Sequence, residues 1–287
     1  MEEINPSEQE KVSLTPTSKP LTFWKGVLYG LVIIGAQLIV GSIVVVAAMA
    51  SMGVEMVQSG SEEAMDTMMN WILGLALPLS FLLAAVLVLR RRKLHPDALR
   101  WQSSDFLLLF IGLLMLLGYN YVVGELMTFL PDYEGMAEDY KSMFDGINMT
   151  YLLIGGVLIG PICEEIIFRG IIQEGFIQTY GGVPALFYSA LIFGGIHLLP
   201  LQVINAFLAG ILLGWMYWKT RSLWLVMLLH IINNYLAFKH MDWDASAVKE
   251  WAGNDVLYGL SFPLVVLLMV GGYWLFGYII KKRALAR

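Results

Sequence analysis

Apolar stretches recur from residue 21 to the C-terminus with short polar breaks between them, and most could cross about 30 Å of hydrocarbon as helices of roughly 20 residues. The pattern predicts spans over 21–52, 71–89, 106–130, 151–179, 183–199, 201–218, 223–238 and 256–280. The expected fold class is all-α, a polytopic membrane protein of about eight transmembrane helices, because a helix satisfies its own backbone groups in lipid. Residues 1–20 are polar and lack the basic segment, short apolar core and small-residue cleavage site of a signal peptide. They are expected to form a disordered cytoplasmic tail. Residues 21–287 read as a single membrane domain. No connection is long enough for a function of its own, which puts the chemistry among the helices.

Composition agrees with the pattern and removes a function class. The chain of 287 residues is 58% hydrophobic and 14% charged, with a mean hydropathy of +0.68. Eighteen basic against 23 acidic residues give a formal charge of -5, so no basic face is available for a phosphate backbone and no nucleic acid is expected as a partner. The single cysteine, Cys163, excludes an intrachain disulfide and a thiolate zinc site.

Charge asymmetry sets the orientation. Lys11, Lys19 and Lys25 precede the first span, and Arg90, Arg91, Arg92, Lys93 and Arg100 fill the second connection. Lys219 and Arg221 lie in the sixth, and Lys281, Lys282, Arg283 and Arg287 end the chain. The alternate connections are acidic. Basic segments stay on the cytoplasmic side, so both termini are expected there. The fifth and sixth spans meet at Leu199-Pro200-Leu201, a turn expected to be buried in protein. Gly210 and Gly214 at small-xxx-small spacing would let the sixth span approach a neighbour closely.

Ionisable groups inside the spans narrow the function, since each costs about 2.5 to 3.5 kcal/mol at mid-membrane. The fourth span carries Glu164, Glu165 and Arg169. At 100° per residue Glu165 and Arg169 share a face and can neutralise each other, whereas Glu164 is turned away and unpaired. A carboxylate in a partly dry cavity is suited to act as a general base. His197 follows Phe193 by four residues and His230 precedes Asn234 by four, each pair on one helix face, while His95 and His240 fall in connections. Tyr119, Asn120, Gln173, Glu174, Asn205 and Asn233 form a second polar tier that could line the cavity.

In this order on successive helices, Glu164-Glu165-x-x-x-Arg169, Phe193-x-x-x-His197 and His230-x-x-x-Asn234 resemble the CAAX prenyl protease and bacteriocin-processing family of intramembrane proteases. The resemblance covers a catalytic core of about residues 151–238. It implies an intramembrane cavity and peptide hydrolysis without a covalent enzyme intermediate. Water would be activated by Glu164 with His197 and the oxyanion held by His230 and Asn234, with Glu165, Arg169 and Phe193 in support. The implied partners are a membrane-associated or lipidated peptide or protein substrate and the bilayer, in a bacterial cell membrane. Other intramembrane proteases fit less well: there is no His-Glu-x-x-His, no serine followed by a histidine base at Ser261, and no Gly-x-Gly-Asp.

Glu164, His197 and His230 also supply the His, His, Glu ligand set of catalytic zinc sites. The metal-free reading requires no cofactor and is preferred, with zinc left open. The alternative to hydrolysis is a non-hydrolytic membrane scaffold, such as a bacteriocin-immunity or sensor-regulating protein.

Overall fold

The computed structural model describes residues 19–102, 105–142, 146–239 and 253–285. Most of the expected disordered tail, and His240, lie outside them. The described helices are α1 (Phe23–Met52), α2 (Val54–Ser59), α3 (Glu62–Arg91), α4 (Asp105–Met127), α5 (Tyr133–Ser142), α6 (Met149–Tyr180), α7 (Gly182–Gly195), α8 (Pro200–Thr220), α9 (Leu223–Lys239) and α10 (Asp255–Leu285). No strand occurs among the described residues.

Each of the eight expected apolar segments contains a helix. By length and composition six of them, α1, α3, α4, α6, α8 and α10, can cross a membrane, whereas α7 has 14 residues and α9 has 17. The second segment begins well before its apolar run. Ser61 caps Ala64 N at 3.3 Å and Glu62 and Glu63 sit in the first turn, where acidic side chains favour a helix start. At the other extreme α7 stops at Gly195, after a Gly194-Gly195 pair that favours helix poorly, and α8 restarts at Pro200 in its first turn. His197, expected within a helix, therefore occupies the intervening turn, its N–H donating to Gly194 O at 3.0 Å. That turn is not buried in protein throughout, since Leu198 is 85% exposed.

Two hairpins place the polar residues. Gly181 reverses the chain between α6 and α7 at φ 79°, a value that side-chain-bearing residues avoid. Glu164 and His197 lie 17 and 16 residues along the chain from this reversal. One turn nearer to it, the rings of Phe168 and Phe193 meet edge to face at 4.9 Å. The next hairpin joins α7 and α8 through glycine: a Cβ on Gly210 would lie 3.1 Å from that of Ala190, and one on Gly214 would lie 2.8 Å from Leu186. The small-residue spacing thus serves the α7 contact.

The interior divides into two apolar clusters. One gathers Ile33, Phe81, Ala84, Cys163, Ile167, Phe168, Phe176 and Phe193 from α1, α3, α6 and α7. The other gathers Leu116, Tyr119, Leu213, Met216, Leu225, Leu229 and Phe276 from α4, α8, α9 and α10, with Ile162 and Ile166 of α6 packed on it. Helix α6 is the wall between them. Its polar residues lie along the seam, where burying an unpaired polar atom is most costly.

Candidate catalytic site

The local structure of α6 starts from Pro161. The preceding stretch Leu153–Ile159 is wound as a π-helix, in which each carbonyl is served by the N–H five residues on. Proline at 161 has no N–H, which deprives Gly156 of that donor. Asn234 Nδ2 of α9 takes the place, donating to Gly156 O at 3.0 Å. One of the two amide protons of Asn234 is thereby committed to holding α9 against α6.

Glu165 is fully buried and its Oε1 accepts twice, from Arg169 Nη1 at 2.8 Å and from His230 Nδ1 at 2.8 Å. The i, i+4 pair read from the sequence is present, and His230 joins it as a third member. The Arg169 guanidinium lies 4.6 Å from the centre of the Phe193 ring, a cation–π contact. Phe193 also meets the rings of His197 at 5.1 Å and His230 at 6.0 Å, both edge to face. It is the apolar hub that joins the two histidines to the cation.

Glu164 differs from its neighbour. It is buried, and its carboxylate approaches His230 Nε2 at 3.7 Å, too far for a hydrogen bond. Among the described residues it makes no hydrogen bond. His197 is half-buried, with Nδ1 2.8 Å from Phe193 O. A carbonyl only accepts, so Nδ1 carries the proton and Nε2 presents a lone pair. The structure thus links Glu164, Glu165, Arg169, Phe193, His197 and His230 through short contacts, with Asn234 attached through Gly156.

The second polar tier separates into pairs. Tyr119 OH meets Asn205 O at 2.9 Å and Asn205 Oδ1 at 2.6 Å, tying α4 to α8. Asn120 Nδ2 donates to Asn233 Oδ1 at 2.8 Å, tying α4 to α9. Gln173 Nε2 donates to Gly214 O at 2.7 Å, and Glu174 belongs to a separate ion pair with Arg221. Sequence spacing could not reveal these links, nor Glu165–His230 and Asn234–Gly156, because each joins separate helices. The signal available was the polarity of the residues alone.

Among the described residues, no three His, Cys, Asp or Glu side chains converge so as to hold a metal ion. His230 Nδ1 is taken by Glu165 and His197 Nδ1 by a backbone carbonyl.

Residues 146–236 match a family model described as Rce1-like, type II CAAX prenyl endopeptidase Rce1-like. The matched region agrees with the extent of the family resemblance carried by the three motifs. No curated protein and no solved structure matches the chain. The family is one of proteases, and six span-capable helices make this an integral membrane protein.

Proposed function

We propose that the protein is an intramembrane endopeptidase that hydrolyses a peptide bond in a membrane-associated or lipidated peptide. The observation that carries this reading is Glu164. Among the described residues it is a buried carboxylate without a hydrogen bond, and the Arg169 guanidinium is already held by Glu165. An arrangement so costly in a membrane helix persists where the group has work to do. The family match supports the same reaction class.

In this reading a water sits between Glu164 and the carbonyl to be cut. His197 Nε2 accepts one of its protons in a hydrogen bond, and Glu164 removes the other as the oxygen attacks the carbonyl carbon. The resulting oxyanion is met by His230 and by the free amide proton of Asn234. Collapse of the tetrahedral intermediate breaks the C–N bond, and Glu164 returns its proton to the departing amine. His230 in its doubly protonated form keeps Nδ1–H on Glu165 and presents Nε2–H to the oxyanion. None of these steps requires a metal.

The test is cleavage in proteoliposomes of a prenylated CAAX-type peptide and of the same peptide without its lipid. Glu164→Gln and His197→Ala are expected to lose at least about 10² in rate while keeping the wild-type unfolding transition. Equal turnover by wild type and Glu164→Gln would make Glu164 structural. A folded wild type that cuts neither peptide would favour the scaffold reading.

A further inference from the structure

The pair Asn120 and Asn233 lies beside the candidate site and has no part in the reaction scheme. Asn233 follows His230 by three residues on α9, so the two share a side of the helix, and it adjoins Asn234. It is 6% exposed. Carboxamides inside a membrane bundle most often serve as glue between helices. Glue would use both ends of each amide, and here it does not.

The orientation of both side chains is fixed by their partners. Asn120 Nδ2 donates to Leu116 O at 3.0 Å and to Asn233 Oδ1 at 2.8 Å, which uses both of its protons. Turned about, the Asn120 amide would set an oxygen against the Leu116 carbonyl, so it cannot be reversed. Asn233 Oδ1 is therefore the acceptor, and its Nδ2 points the other way. Among the described residues neither Asn233 Nδ2 nor Asn120 Oδ1 has a partner. The sealed polar atoms without partners are Trp101 Nε1, Glu165 Oε2, Arg169 Nη2 and Gln173 Oε1. The two asparagine atoms are not among these, and Asn120 is only partly buried.

What the pair leaves over is one N–H donor and one C=O acceptor on two amides locked by their mutual hydrogen bond. A peptide unit of an extended chain offers the complement, one C=O and one N–H. We propose that Asn233 Nδ2 donates to a carbonyl of the substrate backbone and that Asn120 Oδ1 accepts from a neighbouring backbone N–H. The pair holds the peptide in the cavity much as the edge of a sheet holds an added strand. This rests on the hydrolytic reading and extends it: the pair recognises main chain, so it tolerates varied side chains and demands an unmodified amide. It is a substrate-binding device, acting on the bound peptide before the oxyanion forms.

The experiment uses the full-length protein in proteoliposomes with the peptide cut in the Glu164 assay, and with analogues in which one peptide unit near the scissile bond is an ester. Asn120→Leu and Asn233→Leu are expected to raise KM about tenfold each, with kcat within about twofold of wild type. Asn233→Asp, which keeps the acceptor for Asn120 and lacks the N–H, should match Asn233→Leu. One ester position should cost the wild type about tenfold in KM and cost Asn120→Leu nothing more, since an ester has no N–H to give. Unchanged KM in both Leu variants, with a wild type that cleaves, overturns the proposal and leaves hydrolysis standing. So does a lowered unfolding temperature with unchanged KM, which would make the pair glue, or an ester penalty that simply adds to that of the mutation. Absence of cleavage by wild type overturns the hydrolytic reading and this one together.

Discussion

Helix α6 carries two buried ionic clusters, and they are built differently. Toward its C-terminal end Glu174, 1% exposed, accepts from Tyr217 OH at 3.1 Å and is in an ion pair with Arg221, while Gln178 approaches its other oxygen at 3.4 Å. One carboxylate faces one guanidinium, and Arg221 remains 28% exposed, so its charge is partly hydrated. Two turns up the helix, Glu164 and Glu165 share one arginine, and Arg169 is 1% exposed. That cluster carries a surplus carboxylate and leaves Glu165 Oε2 and Arg169 Nη2 without partners. A buried ion pair by itself is therefore no mark of a site; a second, unbonded carboxylate beside it is.

The largest stability effect should come from breaking the upper cluster on its cationic side. Arg169→Ala strands Glu165 with no counterion except His230 and should cost about 3 to 5 kcal/mol. A Glu165→Gln second change should recover much of that stability, because the stranded charge goes with it. Thermal unfolding in detergent measures both. Full stability of Arg169→Ala combined with lost cleavage would make the guanidinium an agent in the chemistry, and the contrast drawn here would fail.

Arg221→Ala should matter less. Glu174 keeps the Tyr217 hydroxyl and lies near the chain end of α6, where water can replace the lost partner, so the expected cost is about 1.5 to 3 kcal/mol. Cleavage per folded molecule should stay at the wild-type level. An Arg221→Ala protein as stable as wild type but unable to cleave would show that the two clusters are coupled through α6.

The contrast was half legible in the sequence. Glu165 and Arg169 are four apart, and that spacing alone predicts their pairing and the isolation of Glu164. The spacing of Glu174 and Arg221 predicts nothing, because the pair forms across the helix ends that meet when α8 folds back along α7. Helix content and the apolar spans were legible for the same local reason. The end of α7 was not: apolar residues continue through Leu199, while the Gly194-Gly195 pair stops the helix and leaves His197 in the turn. The hub role of Phe193 was also hidden, since its contacts with Arg169 and His230 come from other helices.

The smallest effect is expected at Cys163, and it sharpens the comparison by marking where the reactive face of α6 ends. The thiol is next to Glu164 in sequence, yet it turns into the apolar cluster with Ile167 and Phe168 and is 3% exposed. Glu164 lies on the seam, about 100° round the helix from it. Cysteine so placed behaves as a small apolar side chain. Cys163→Ala should therefore lose about 1 kcal/mol of stability from the packing left behind. Cleavage should stay within about twofold of wild type, because no group that acts on the peptide is removed. A membrane-permeant thiol reagent should leave wild-type activity unchanged under native conditions. Inhibition that disappears in Cys163→Ala would place the thiol in the cavity and move the reactive boundary of α6 past Glu164.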